Sequence, residues 1–247
     1  MSFEKAAIVE GERRHFLAKH TLDFFAEGSE SPRFKEYLRL LEQTVNNRDN
    51  YIDKGGAGEV YAVGKGQVCI KLMPERRRKD MVDAYDQPIE YNLGNSVKTE
   101  AWFLEELSDF KVEEVRTPAL VEYLEGNQYT AIVMERLEAL NLQHILNGTE
   151  ELPENFDLDD FFDRVEDYIY ALHDEKNIAH GDLEPRNIML DLKTGHPRII
   201  DFGRSRFLGM LKPEERHRLE AQEIKMIDKV RNEFKNYMNK SNQKLYV

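Results

Sequence analysis

Apolar residues recur at two spacings along this 247-residue chain, and the change of spacing divides it. Up to about residue 50 the spacing is helical. Ser31-Pro32 reads as an N-cap followed by proline at the first helical position. Phe34, Leu38, Leu41 and Val45 then recur at intervals that keep them on one helix face. The run ends in Asn46-Asn47-Arg48-Asp49-Asn50, a cluster poor in helix formers. Upstream, Phe16, Leu17, Leu22, Phe24 and Phe25 predict another amphipathic segment, closed by Glu27-Gly28-Ser29. Residues 1–50 therefore read as a helical extension. It either completes the core of the body or offers a docking surface to a partner or activator.

From Tyr51 the pattern becomes strand-like. Lys54-Gly55-Gly56-Ala57-Gly58-Glu59-Val60-Tyr61 is a glycine-rich turn entering a strand. After Val63 and a Gly64-Lys65-Gly66 turn comes the strand Gln67–Leu72, which carries Lys71. Arg76-Arg77-Arg78-Lys79 is a short basic run of the kind usually solvated. A helical pattern starts near Ser96, with Ala101, Leu104 and Leu107 on one face and Trp102 expected in the core. Ala119–Leu124 and Tyr129–Met134 read as a hairpin around Glu125-Gly126-Asn127-Gln128. The second half is mostly helical. Asp157, Asp159 and Asp160 suit a helix start, where carboxylates meet the positive end of the helix dipole. Phe161, Val165, Tyr168, Ile169 and Leu172 give that helix its buried face, ending near His173. Short strands are expected near 188–190 and 198–200. A last helix begins at Lys212-Pro213 with Ile227, Val230, Phe234 and Tyr237 as its stripe.

Composition narrows the class. Apolar residues make up 40 % and charged residues 33 % of the chain, a balance that folds into a globular body rather than remaining disordered. No apolar run approaches the roughly 18 residues of a membrane span, and the N-terminus lacks a signal-peptide pattern. A formal charge of −12 argues against general nucleic-acid binding. With one cysteine, Cys69, no intrachain disulfide forms, so a reducing, cytoplasmic setting is expected, with Cys69 an inert core thiol.

The candidate chemistry lies in His180-Gly181-Asp182-Leu183-Glu184-Pro185-Arg186-Asn187 and Ile199-Ile200-Asp201-Phe202-Gly203. Two carboxylates and a carboxamide supply hard oxygen ligands for Mg²⁺, with one carboxylate left to accept a hydroxyl proton. Glycines upstream let backbone N–H groups approach phosphate oxygens. The order is glycine-rich loop, strand lysine, helical glutamate, H-x-D-L-x-x-x-x-N and D-F-G. That order resembles the protein-kinase superfamily over roughly residues 51–205.

The resemblance implies an α+β, two-lobed fold. It has a small β-rich N-lobe over 51–137 and a reduced helical C-lobe over 138–247. It also implies an ATP- and Mg²⁺-dependent phosphotransferase acting on a protein substrate. By the same resemblance, Asp182 takes the acceptor's proton, while Asn187 and Asp201 hold Mg²⁺. Lys71 contacts the α- and β-phosphates and pairs with Glu100, Glu90 and Glu105 being the alternatives. The backbone of Gly55, Gly56, Ala57 and Gly58, with Val60 behind it, covers the nucleotide. Met134 stands at the gatekeeper position, and the backbone of Glu135 and Leu137 meets the adenine. His180 packs the loop rather than acting as a base.

Departures from the family pattern matter as much. Asp53 replaces the first glycine of the loop. Gly181 stands where many kinases carry an arginine that pairs with a phosphorylated activation loop, and no A-P-E motif follows Gly203. Activity without activation-loop phosphorylation is the expectation. Glu184 occupies the place of a γ-phosphate lysine, and Arg186 is expected to supply that charge. The short stretch after Gly203 implies a truncated C-lobe. This form resembles the compact effector kinases of bacterial type III secretion, which act inside a host cell, or the RIO kinases. A small-molecule phosphotransferase of the aminoglycoside-kinase kind and a nucleotide-binding pseudokinase scaffold are the alternatives.

Overall fold

The computed structural model describes residues 43–44, 47–54, 58–63, 67–74, 96–125 and 129–244. Nearly all of the expected helical extension lies outside the described residues. So do Gly55, Gly56, Ala57, the turns at 64–66 and 126–128, the Arg76–Lys79 run and Glu90. Contacts group the described residues into two units. One holds the residues up to Pro74 together with 96–108 and 118–136, and the other holds 109–117 and 137–244.

The first unit is an antiparallel sheet of five strands in the order β1-β2-β3-β5-β4. The strands are β1 (Tyr51–Lys54), β2 (Glu59–Ala62), β3 (Val68–Pro74), β4 (Leu120–Glu125) and β5 (Tyr129–Glu135). Helix α1 (Ser96–Glu106) packs on β4 and β5. Strand β3 is central and apolar on both sides, as a strand covered on both faces must be. Val68, Ile70 and Leu72 join Tyr61, Ala131 and Val133 in one cluster. Cys69, Lys71 and Met73 alternate with them and are also buried. Lys71 is therefore a buried cation that needs a partner. On α1, Thr99, Glu100, Ala101, Phe103 and Leu104 are buried, but Trp102 is only half-buried. The expectation of a core tryptophan fails because a helix turns about 100° per residue, which carries Trp102 nearly to the side opposite the buried Glu100 and to the flank of the face that Phe103 buries. Its ring instead meets Phe103 edge-on, with centroids 4.9 Å apart.

The second unit runs through β6 (Ala139–Asn141), α2 (Leu142–Leu146), α3 (Leu158–Lys176), β7 (Ile178–Ala179), β8 (Ile188–Asp191), β9 (Pro197–Ile199), β10 (Arg206–Phe207) and α4 (Pro213–Lys244). Asp157 caps α3 by accepting from the N–H groups of Asp159 and Asp160, both at 3.1 Å. The helix runs about a turn past His173 and stops at Asn177, which adopts φ 55° and donates its N–H to Leu172 O. Helices α3 and α4 pack together, Phe162 meeting Phe234 with ring centroids 5.9 Å apart. The buried stripe of α4 is Leu219, Glu223, Ile227, Val230 and Phe234, while Tyr237 is half-buried. Several contacts join residues 109–117 to this unit. Phe110 packs on Tyr168 at 5.3 Å, Ile199 N–H donates to Arg116 O at 3.3 Å, and the Arg198 guanidinium donates to Glu114 O. Two small sheets frame the loops: β6-β8-β9 and β10-β7. Among the described residues no helix is long and apolar enough to cross a membrane.

Candidate active site

In the first unit the buried cation of β3 meets the buried acid of α1. Lys71 Nζ lies 2.5 Å from Glu100 Oε2, with both side chains almost fully buried. The structure thus brings Lys71 to Glu100 rather than to Glu105, and Glu90 lies outside the described residues. A charge pair in such a place is costly to break from one side, because the survivor stays buried without its counter-charge.

The glycine-rich hairpin pairs Lys54 with Glu59 across its turn, and Val60 with Lys71. Gly58 is close-packed: a Cβ there would come 2.4 Å from Leu72 O, so only glycine fits at this position beside β3. Asp53, in place of the first glycine, accepts from Lys54 N–H at 2.7 Å, and Lys54 Nζ pairs with Glu59 at 3.0 Å. Met134 is half-buried and faces Cys69 and Leu120 in register. Glu135 is engaged on both sides. Its N–H donates to Ala119 O at 2.8 Å, and its carbonyl accepts from the Cys69 thiol at 3.6 Å. Cys69 is buried, and burial pushes its thiol up to about 12.

The second unit holds the catalytic-loop candidates. His180 is fully buried, its ring edge-on to Phe202 at 4.6 Å. Its Nε2 lies 2.9 Å from Ile200 O, and its Nδ1 accepts from Asp182 N–H at 3.2 Å. A carbonyl only accepts and an amide N–H only donates, so the ring proton sits on Nε2. His180 is thereby a splint between the loop and the Asp201 strand. Gly181 adopts φ +78°, and a Cβ there would come 2.3 Å from Arg204 O. A side chain is excluded at this position by the backbone itself.

Asp182 is nearly buried and ringed by donors. Asn187 Nδ2 donates to its Oδ2 at 3.1 Å and to its carbonyl at 2.7 Å. Arg186 Nη2 lies 3.4 Å from Oδ2, and Arg204 Nη1 lies 3.4 Å from Oδ1. Arg186 also pairs with Glu184 at 2.9 Å. The short 3-10 turn Pro185–Asn187 holds this geometry, and Asn141 Nδ2 anchors it by donating to Arg186 O at 2.9 Å. Leu137 opens the segment leading to β6 and is half-buried.

Asn187 and Asp201 are adjacent across the β8–β9 ladder, where Ile200 N–H donates to Asn187 O at 3.0 Å. Asp201 sits at φ 63°, ψ 64°, a left-handed conformation that a non-glycine residue holds only when its surroundings over-determine it. Asn187 is 2 % exposed and commits its amide nitrogen to Asp182. That leaves the hard carbonyl Oδ1 as the group it can offer a cation. No group of three or more His, Cys, Asp or Glu gathers as a metal site among the described residues. Two oxygen ligands without a protein cage fit Mg²⁺, which takes its remaining ligands from water and phosphate.

Three residues that hold the site were not singled out from the sequence. Glu223 of α4 is buried and accepts from Gly181 N–H at 2.5 Å, while its other oxygen lies 2.6 Å from His173 Nε2. Arg204 follows Gly203 directly, and Asn141 ends β6. An acid in the middle of an apolar helical stripe was the signal for Glu223. Adjacency to D-F-G was the signal for Arg204.

A protein kinase domain model matches residues 47–227. The serine/threonine-protein kinase PknA of Nostoc sp. is 30 % identical over 172 residues, covering 66 % of this chain and 28 % of that one. A serine/threonine-protein kinase of Caenorhabditis elegans is 29 % identical over 202 residues, covering 76 % of this chain and 20 % of that one. The chain thus spans less than a third of the length of these relatives. The solved structure of the bifunctional kinase-methyltransferase WbdD superposes with a TM-score of 0.45 at 19 % identity, covering 70 % of this chain and 34 % of that one. The matched segment runs from the first strand of the β-sheet unit well into α4 and contains Lys71, Glu100, Asp182, Asn187 and Asp201, so this chain belongs to the protein kinase domain family.

Proposed function

We propose that the chain transfers the γ-phosphoryl group of ATP to a Ser/Thr (or Tyr) hydroxyl of a protein, without phosphorylation of its own activation loop. The observation that carries this reading is Asp182, a carboxylate held by its neighbours on both oxygens and beside Asn187, at the position where the family places its catalytic base. The acceptor hydroxyl oxygen forms the bond to the γ-phosphorus, and the bond to the β–γ bridging oxygen breaks. Asp182 takes the hydroxyl proton, and ADP leaves. Mg²⁺, when bound through Asn187 and Asp201, neutralises charge on the phosphates. Lys71, oriented by Glu100, contacts the α- and β-phosphates. Backbone N–H groups of Gly55–Gly58 cover them, Val60 and Met134 border the adenine pocket, and the backbone of Glu135 and Leu137 meets the base. Arg186 leaves Glu184 to meet the γ-phosphate, supplying the charge that Glu184 does not.

Independence from a loop phosphate is supported by residues 204–212. Ser205 is the only hydroxyl-bearing residue among them, and it is fully buried, donating to His180 O at 2.9 Å. Leu208 N–H donates to Asn177 O at 2.7 Å, and Arg206-Phe207 pairs with Ile178-Ala179. These bonds, with the Arg204–Asp182 and Arg206–Glu215 ion pairs, hold the segment without a phosphate, and Gly181 leaves no arginine at the usual place to receive one.

The test is radiolabelled ATP transfer in a cell lysate by phosphatase-treated chain, wild type beside Asp182→Ala. A protein band labelled only by the wild type is expected. Equal labelling by the variant removes Asp182 from its role. Phosphatase-treated chain that stays inert until a second kinase acts on it removes the claim of loop independence.

A further inference from the structure

We propose that Arg204 is a positioning residue for phosphoryl transfer: it holds Oδ1 of Asp182 while Asn187 holds Oδ2, and together they fix the plane of the base. The proposal rests on the protein-kinase reading above and concerns a side chain that the reading leaves without a role. Arg204 Nη1 lies 3.4 Å from Asp182 Oδ1, and Asn187 Nδ2 donates to Oδ2 at 3.1 Å. The last torsion of an aspartate side chain is broad and roughly two-fold, so the carboxylate turns easily. A donor on one oxygen leaves that rotation loose. A donor on each oxygen stops it, and an acceptor hydroxyl then meets a carboxylate of set orientation.

Two arginines reach Asp182, and their surroundings separate them. Arg186 divides itself between Asp182 at 3.4 Å and Glu184 at 2.9 Å, with its side chain 48 % exposed. It is also the arginine that the proposed reaction draws to the γ-phosphate. The Arg204 side chain is 34 % exposed, and Asp182 is its one ion-pair and hydrogen-bond partner among the described residues. When Arg186 turns to the phosphate, Arg204 is the cation that stays. A part-exposed pair of this length adds little to stability, so its effect falls on orientation.

The backbone beneath Arg204 is tied to the same loop. Arg204 closes the 3-10 turn Phe202–Arg204, where Ser205 N–H donates to Phe202 O at 3.1 Å. The buried Ser205 hydroxyl donates to His180 O at 2.9 Å. The Arg204 carbonyl packs against Gly181, whose lack of a Cβ admits it. The guanidinium and the carboxylate therefore start from backbone segments already fixed to each other, which makes a single side-chain contact between them reproducible.

The experiment measures kcat and KM of the full, phosphatase-treated chain with Mg·ATP and a protein that the wild type labels, for wild type, Arg204→Ala and Arg204→Lys. Arg204→Ala is expected to lower kcat about tenfold to a hundredfold, the cost of a misplaced reacting group. KM for ATP should stay within about twofold, because the lost contact is to the base and not to the nucleotide. Arg204→Lys keeps the charge and should regain part of the rate. Methylguanidine added to Arg204→Ala should raise its kcat and leave the wild type unchanged. The melting temperature should move by less than about 4 °C, as befits a part-exposed pair. Should Arg204→Ala melt earlier than that, Arg204→Gln takes its place with the same expectations. A kcat within about twofold of wild type, a loss confined to KM for ATP, or a loss that neither Arg204→Lys nor methylguanidine restores overturns the proposal. Wild type that labels no protein overturns the kinase reading, and the proposal falls with it.

Discussion

Replacing Glu223 by alanine should both destabilise the chain and slow its chemistry. Glu223 is 4 % exposed and accepts from His173 and from the Gly181 N–H, so alanine strands two buried donors at once. Leaving two buried donors without their acceptor costs about 2–5 kcal/mol. Alanine returns only about 0.3 kcal/mol of helix propensity. At about 2–4 °C per kcal/mol for a chain of this size, the melting temperature should fall by about 10 °C. Glutamine keeps one oxygen for Gly181 and offers N–H donors to the other His173 tautomer, so Glu223→Gln should cost about 1–2 kcal/mol. The chemistry should follow the same order, because Gly181 is the residue before Asp182. A base displaced by a fraction of an ångström costs about tenfold or more in rate. Thermal melts by circular dichroism and steady-state kcat on any phosphorylatable protein read both effects. If Glu223→Ala melts within about 1 °C of wild type and turns over normally, the buried acid is not what holds the catalytic loop, since two lost hydrogen bonds exceed that margin.

Two further predictions rest on single positions. Gly181→Ala should cost about 2–4 kcal/mol, combining the left-handed penalty of a non-glycine residue with the clash against Arg204 O, and should lower kcat. Gly195→Ala, at φ +74° with nothing within 4 Å of the added Cβ, should cost only about 1–2 kcal/mol; equal melts for the two variants would refute the close-approach argument. Cys69 has a folded-state pKa pushed up to about 12 by burial, against 9.0 ordinarily. The unfolded chain loses this proton first, so the thiol does not affect stability below pH 9.0, and stability falls as pH rises from there toward about 12. Denaturant titrations should show that slope, at about 1.4 kcal/mol per pH unit, missing in Cys69→Ala. A native thiol that reacts freely with a disulfide reagent at mildly alkaline pH would contradict the burial.

The parts of the site that were legible in the sequence are those whose chemistry is local. Asp182 and Asn187 are separated by one 3-10 turn, and Asn187 and Asp201 by one hairpin. At such short range the chain fixes the geometry with its own backbone bonds. Lys71 was legible as a lysine alternating with apolar residues on a strand, and Glu100 was named as its partner ahead of Glu90 and Glu105, as the structure has it. Glu90, Glu100 and Glu105 are equivalent as letters, and only the packing of α1 on the sheet brings Glu100 to the buried ammonium. Trp102 was misplaced because hydrophobicity names a core residue without naming the helix face it occupies. Gly181 reads as a missing arginine in the sequence. In the structure it is also a positive-φ position pressed against Arg204 O, a constraint from a residue far along the chain.

The sequence by itself determined the longer strands and helices, though not the short β6, α2, β7 and β10, the resemblance to the kinase family and the set of polar groups around Asp182 and Asp201. Each of these follows from periodicity or from residue types at short spacing. Only the tertiary structure decided that α1 turns Glu100 rather than Glu105 toward Lys71, that Glu223 and Asn141 hold the His180–Asn187 loop, and that Ser205 is sealed inside. Those facts depend on which faces of distant elements come together. Burial then sets their energetic weight, because a charge or hydrogen bond taken out of water must find its partner within the protein.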